Sequence, residues 1–242
     1  MDARARELTG GSRPVVGYQR WDRLLFADWP VRPELLRPLV DRRLELDLHE
    51  GRAWVSLTPF TVRGARLRGL PALPGLSGFH EVNLRTYVRH PSGPPGVWFL
   101  SLDAEAVLAS AAARLTLGLP YFVARIGRAE RGDAHVYRSR RLGWRRPARL
   151  DASWGVGYAT GPAAPGSLEH FLVERYALYS TRAGRLLRLR VRHAPWPLHE
   201  VWVDRFEETL SRAAGVPGPS GAPLARFSPG VDVELLAPEL AG

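Results

Sequence analysis

Polar and apolar residues alternate along most of this chain with a period of two, and the alternating runs are bounded by glycine, proline and charged turns. The pattern predicts strands over residues 19–27, 44–48, 53–60, 79–88 and 97–102, with 44–48 and 53–60 paired across a tight turn at His49, Glu50 and Gly51. Further strands are expected over 134–141, 153–159, 171–180 and 185–193, the last two forming a hairpin, and near 231–236. Helical signals are few. Pro33 can open a short helix over 34–39. Asp103 is placed to cap a helix through about Leu117, stopped by Gly118 and Pro120; its alanine-rich composition, apolar nearly all round, predicts burial on most sides. Val203, Phe206, Leu210 and Ala214 suggest a C-terminal helix ended by Gly215. Gly155, Gly157 and Gly161 read as a glycine-rich strand and turn, 69–78 as a Pro/Gly-rich loop and 217–223 as a mobile stretch. About ten strands with two substantial helices predict a β-rich α+β fold. The polar start of the chain reads as a disordered lead-in over 1–15, leaving a single domain over 16–242.

Composition narrows the chemistry. All 34 basic residues are arginine. A buried lysine amine can lose its proton and attack a carbonyl, whereas a guanidinium stays charged and does neither, so Schiff-base chemistry on an internal lysine is excluded. The absence of cysteine excludes disulfides, thiolate nucleophiles and Cys-ligated metals. There is no nucleophile elbow, phosphate loop or H-E-x-x-H helix, and His193, His199 and Glu200 around a Pro-Trp-Pro turn read as structural rather than as a metal site. No cofactor is expected. No apolar run reaches membrane-spanning length and the N-terminus lacks a signal-peptide core, so a cytoplasmic protein without a membrane partner is expected.

The net charge of +10 raises the question of nucleic acid. Leu187, Leu189 and Val191 alternate with Arg188, Arg190 and Arg192, which reads as a solvated sheet face. Arg138, Arg140, Arg141, Arg145, Arg146 and Arg149 form a denser cluster, yet no nucleic-acid-binding signature accompanies it, which argues against specific recognition. A non-catalytic protein using an arginine-rich face on an acidic partner or polyanion stands as a second functional reading.

The segment 79–88 carries the most specific pattern. On a strand, Glu81, Asn83, Arg85 and Tyr87 project together while Val82, Leu84 and Val88 project oppositely. This row of acid, amide, guanidinium and phenol would face solvent in an isolated antiparallel sheet, or a ligand-holding lumen in a closed one. The pattern alone does not choose between them.

Several stretches closely resemble the YqjF-like family of bacterial proteins: Trp21 through Val31, Gly51 to Val55 with Pro59-Phe60, Arg68 to Pro71, Asn83 to Val88, Ser101 to Ala104 and Leu119-Pro120-Tyr121. Glu174-Arg175-Tyr176, the run from His193 to Leu198, and Phe227 to Val231 resemble its C-terminal landmarks. Asp28 departs from the family, where histidine is common. The family in turn is similar to the acetoacetate decarboxylase-like fold, which implies a cone-shaped β-barrel of antiparallel sheets with an internal cavity, a buried helix and a C-terminal helix. Phe79-His80-Glu81 resembles the element bearing that fold's active-site glutamate, and Gly118-Leu119-Pro120-Tyr121-Phe122 resembles the stretch bearing its lysines, with Tyr121 and Phe122 in their place.

The resemblance implies a cavity for a small anionic or carbonyl-bearing molecule. Glu81 would be the acid or base and Tyr121 a neutral donor, with Arg85 as counter-charge and Asn83, Tyr87, Phe122 and Ser101 as further ligand contacts. Any catalysis would then be acid–base chemistry on a small carbonyl or carboxylate compound, not Schiff-base decarboxylation. The alternative is that Glu81 and Arg85 form a buried ionic lattice that stiffens the cone. A homo-oligomer is compatible with either.

Overall fold

In the computed structural model, which describes residues 13–73, 77–143 and 146–241, the alternating segments are strands of a thirteen-stranded sheet. The lead-in through residue 12 lies outside the described residues. The strands are β1 (Val15–Val31), β2 (Glu45–Leu46), β3 (Ala53–Leu67), β4 (Phe79–Arg89), β5 (Pro95–Ala104), β6 (Tyr121–Arg131), β7 (Ala134–Arg141), β8 (Arg149–Gly161), β9 (Ala177–Arg182), β10 (Arg185–Arg192), β11 (Leu198–Glu208), β12 (Leu224–Leu236) and β13 (Glu239–Leu240). Among the described residues four α-helices interrupt them, α1 (Pro33–Leu36), α2 (Val107–Leu117), α3 (Leu168–Val173) and α4 (Leu210–Ala214), with a 3-10 turn over Arg37–Leu39 after α1.

The sheet closes on itself twice. β12, β1, β3, β4 and β5 pair in succession, and both ends of this run fork. β5 continues in parallel to β6 through Leu102↔Tyr121 and to β9 through Val97↔Leu178, while β12 meets β11 at Phe227 and β10 at Leu235. One ring runs through β6, β7, β8 and β11, the other through β9 and β10, and the five common strands are a wall between two interiors. Alternate residues of this wall therefore enter different cores. Leu25, Ala27, Val55, Leu57, Val82 and Leu84 pack with Tyr137, Leu150 and Trp154 of the first ring. Leu24, Phe26, Trp54, Phe60 and Tyr87 pack with Val191, Trp196 and Leu172 of the second. β3 shows the result, buried without interruption from Ala53 to Val62.

Several expectations change. The segment 103–117 begins its helix later, with Ala106 at the N-cap and no side-chain cap, because Asp103 is still in β5. Nor is α2 buried: Ser110 is its only buried residue, and the helix lies on the outside of the sheet. Composition counted its alanines as core, but Ala109, Ala111 and Ala112 are exposed. The C-terminal helix is only the five residues of α4, since Val203 and Phe206 lie in β11, which pairs along β8. Residues 171–173 end α3, capped by Ser167, whose hydroxyl accepts from the His170 amide at 3.1 Å. The turn at His49 forms, with reciprocal His49–Arg52 backbone bonds of 3.0 Å, but β2 then pairs with β4 rather than β3. The arginine face of β10 is less solvated than its alternation suggests: Glu239 lies 2.7 Å from Arg188 and 3.2 Å from Arg190, and Glu234 lies 3.6 Å from Arg192.

Gly118 ends α2 as expected, at φ 68°, and sets up the entry into β6. A Cβ there would lie 2.3 Å from the Thr181 carbonyl oxygen. Gly118→Ala is expected to destabilise the protein by about 1–3 kcal/mol through backbone strain alone, with the steric contact adding to it. A urea denaturation midpoint unchanged from the native chain would refute this.

Candidate functional site

β4 pairs with β3 without a register shift, so the predicted alternation survives and Glu81, Asn83, Arg85 and Tyr87 all face the second interior. The row is not solvated: Glu81, Asn83 and Tyr87 are buried, and Arg85 is half-buried. Against β5 the register slips by one residue, Leu84 facing Ser101 but Arg85 facing Phe99. Directly paired residues share a face, so Ser101 and Asp103 project with Leu84 and Val82, away from the row.

β6 joins β5 in parallel and divides the Tyr121-Phe122 pair in the same way. Tyr121 lies beside Leu102 on the Asn83 face, and its hydroxyl donates to Glu81 Oε2 at 3.0 Å. Phe122 lies beside Asp103 on the other face. There it supports the Arg141 guanidinium, 3.7 Å from its ring centre, and Arg141 grips Asp103 through two bonds of 2.8 and 2.6 Å. The structure thus joins Tyr121 to Glu81 and assigns Ser101 and Phe122 to a different neighbourhood. Arg141 also drops out of the exposed cluster at 138–149; Arg138 is 3.4 Å from Asp151, and Arg145 lies outside the described residues.

The row itself has two ends. At one, burial pushes the Glu81 carboxyl up to about 8, with the Tyr121 hydroxyl opposing and the Asp103 charge adding to the shift. Burial likewise holds the Tyr121 phenol well above its ordinary value, so it is a neutral donor. At the other end, the Tyr87 hydroxyl donates to Asp28 Oδ1 at 3.0 Å. Burial raises Asp28 to about 6, against the opposing effects of Ser56, Arg85 and Tyr87. The charge of Arg85 faces Asp28 rather than Glu81, and its guanidinium lies 5.6 Å from the Phe26 ring centre. Asn83 Oδ1 and Arg85 Nε are buried without a hydrogen-bond partner. Asp28 is the member of the site that the pattern of β4 could not supply; its only sequence signal was the departure from histidine.

Tyr121 also lines a cavity of about 510 Å³, between α2, the end of β3 and the start of β1. Its wall includes Phe79, Ser110, Leu67, Leu70 and Leu73, so the Glu81–Tyr121 pair has the packed second interior on one side and this space on the other. Among the described residues no group of acidic or histidine side chains is arranged to hold a metal, and no helix is long and apolar enough to cross a membrane.

Comparison with known proteins agrees with this architecture. The chain resembles an enduracididine biosynthesis enzyme, MppR, solved with pyruvate, at TM-score 0.64 and 13% identity over 96% of this chain and 93% of that one. An acetoacetate decarboxylase-like enzyme from Sphingomonas wittichii RW1 matches at TM-score 0.63 and 13% identity, over 95% and 94% of the two chains. Acetoacetate decarboxylase from Legionella pneumophila matches at TM-score 0.61 and 13% identity, over 96% and 90%. At these identities the likeness shows the fold. The uncharacterised protein YqjF of Bacillus subtilis is 40% identical over 215 residues, 89% of this chain and 88% of its own length. The model of the DUF2071 family, described as an uncharacterised conserved protein, matches residues 18–232, and this chain belongs to that family, built on an acetoacetate decarboxylase-like fold.

Proposed function

We propose that the chain binds a small carbonyl-bearing molecule, including oxo acids, at the cavity face of Tyr121, with Glu81 behind it as a neutral carboxylic acid. The observation that carries this reading is the buried Glu81 carboxyl bonded to a phenol that itself lines a cavity. At pH 7 a carboxyl raised to about 8 is mostly protonated. It can donate its proton to the Tyr121 oxygen, which frees the phenolic hydrogen to bond a carbonyl oxygen in the cavity. Proton transfer along this chain would leave a protonated carbonyl and the Glu81 carboxylate, acid catalysis that needs no lysine. The pyruvate held by the structural neighbour MppR is a ligand of this chemical kind. Arg85, the counter-charge expected from the row, faces Asp28 at its far end and does not line this cavity; Arg66, which does, is the cation available there for a ligand carboxylate.

The test is affinity for pyruvate as a function of pH, by calorimetry. Binding is expected to be constant below pH 7 and to weaken above about 8, because an ionised Glu81 recaptures the Tyr121 hydrogen. Glu81→Gln keeps a neutral donor behind Tyr121 and should bind with no such break, whereas Tyr121→Phe should lose about 10-fold or more, the worth of one buried hydrogen bond. A break that persists in Glu81→Gln, or full affinity in Tyr121→Phe, would overturn the assignment. If Arg66→Met binds as tightly as the native chain, Arg66 is not the counter-charge.

A further inference from the structure

The cavity beside Tyr121 has an unusual rim. Leu67, Leu70 and Leu73 on one side are all more than half exposed, while the exposed Leu108 and Leu115 of α2 lie on the helix face turned away from the cavity. The first three line the cavity directly, and α2 faces it through Ala109, Ser110 and Ala113. Three exposed leucines lining one cavity mark a binding surface rather than ordinary exterior. Inside, the chemistry changes. Ser110 is buried, lines the same cavity as Tyr121 and has a hydroxyl without a hydrogen-bond partner. An unsatisfied buried hydroxyl in a cavity that a phenol also lines is a place for a polar head group.

Charge selects further. Residues 62–73, 77–79 and 106–121, which supply two walls of the cavity, contain four arginines and no acidic residue. Arg63 is paired with Asp22, but Arg66, Arg68 and Arg114 have no carboxylate partner among the described residues. Their combined field attracts anions and repels cations. A volume of about 510 Å³ exceeds what a three-carbon acid fills and lies in the range of sites for larger organic ligands.

We infer that the ligand of this site is an anionic amphiphile, an oxo acid with a hydrocarbon chain, whose carbonyl sits at Ser110 and Tyr121 and whose chain runs outward between Leu67, Leu70, Leu73 and α2. This rests on the reading of Tyr121 as the carbonyl contact and extends it from the reacting group to the class of molecule. The exposed side chains of Leu67, Leu70 and Leu73 are then covered by the ligand chain.

The experiment is calorimetric titration of the whole chain with pyruvate, 2-oxohexanoate and 2-oxooctanoate, each below its aggregation threshold. Affinity should rise by roughly fourfold for each added methylene, the increment for burying that group. In the double variant Leu70→Ser, Leu73→Ser, whose side chains are exposed, the gain per methylene, read as the ratio between successive acids on the same variant, should fall below twofold. Equal affinity for pyruvate and 2-oxooctanoate, both weakened by Tyr121→Phe, would remove the amphiphile and leave the carbonyl site standing. A chain-length gain untouched by the leucine variant would place the chain elsewhere and also overturn the inference. If none of the three acids binds, both readings fall together.

Discussion

Asp103→Ala is expected to lower the stability of the protein by about 3–5 kcal/mol, the usual result of stripping one partner from a buried ion pair. Asp103 and Arg141 are each only 1% exposed at the side chain. They tie β5 to β7 across β6, with the Phe122 ring beneath the guanidinium and the Arg146 carbonyl accepting its remaining amino group at 3.1 Å. Removing the carboxylate leaves a cation in the interior with no counter-ion. The pair itself need not be strongly stabilising, because burial pushes the Asp103 carboxyl up while Arg141 pulls it down. The double variant Asp103→Ala, Arg141→Met should therefore lose less than Asp103→Ala alone. Urea denaturation of the three proteins measures this; a double variant less stable than the single one would mean that the pair is not coupled. A second consequence reaches the site: the Asp103 charge helps to raise Glu81, so Asp103→Asn should move the pH break of pyruvate binding downward.

Stability should fall as the solution becomes more alkaline through neutrality, and Glu81 should be responsible. Its carboxyl is raised from 4.5 to about 8 by burial, so the native state holds a proton that the unfolded chain has released. The associated stability is complete below pH 4.5 and is lost up to about pH 8, at about 1.4 kcal/mol per pH unit in that window. Asp28, raised to about 6, has the same sign but finishes earlier. His80, His135 and His193 are lowered, so they contribute with the opposite sign, and only at pH values below their ordinary 6.5. The interval from pH 7 to 8 belongs mainly to Glu81. Glu81→Gln should abolish the decline there and be more stable than the native chain at pH 9, by an amount on the order of several kcal/mol. Chemical denaturation at pH 6, 7, 8 and 9 distinguishes the two; parallel curves for native and Glu81→Gln protein would show that the carboxyl is not held neutral.

Strand segments were legible wherever the alternation reflects one buried and one less buried face, as in β7 and β10. The register of Glu81, Asn83, Arg85 and Tyr87 on one face of β4 was also legible, because side-chain direction in a strand follows from the backbone alone. What could not be read was the far side. Ser101 and Tyr121 look equally eligible in the chain, yet the one-residue slip of β5 against β4 turns Ser101 away from the row, and parallel pairing with β5 turns Tyr121 toward it and Phe122 away. Such slips are set by packing across strands, not by the residues that slip. α2 failed for a related reason: alanine content measures what a helix tolerates, not whether the fold leaves room for it inside.

The sequence by itself determined the strands of the shared wall, the polar face of β4, the left-handed stop at Gly118 and, through the absence of lysine, the exclusion of an internal imine. Only the tertiary structure decided that both faces of that wall are interior, so the acid row is buried rather than wet. It also brought Asp28 to Tyr87 and set Tyr121 between Glu81 and a cavity. The physical reason is that burial, and with it the protonation of Glu81, depends on how distant strands close around a side chain. Local pattern fixes where a side chain points; closure of the sheet fixes what it meets.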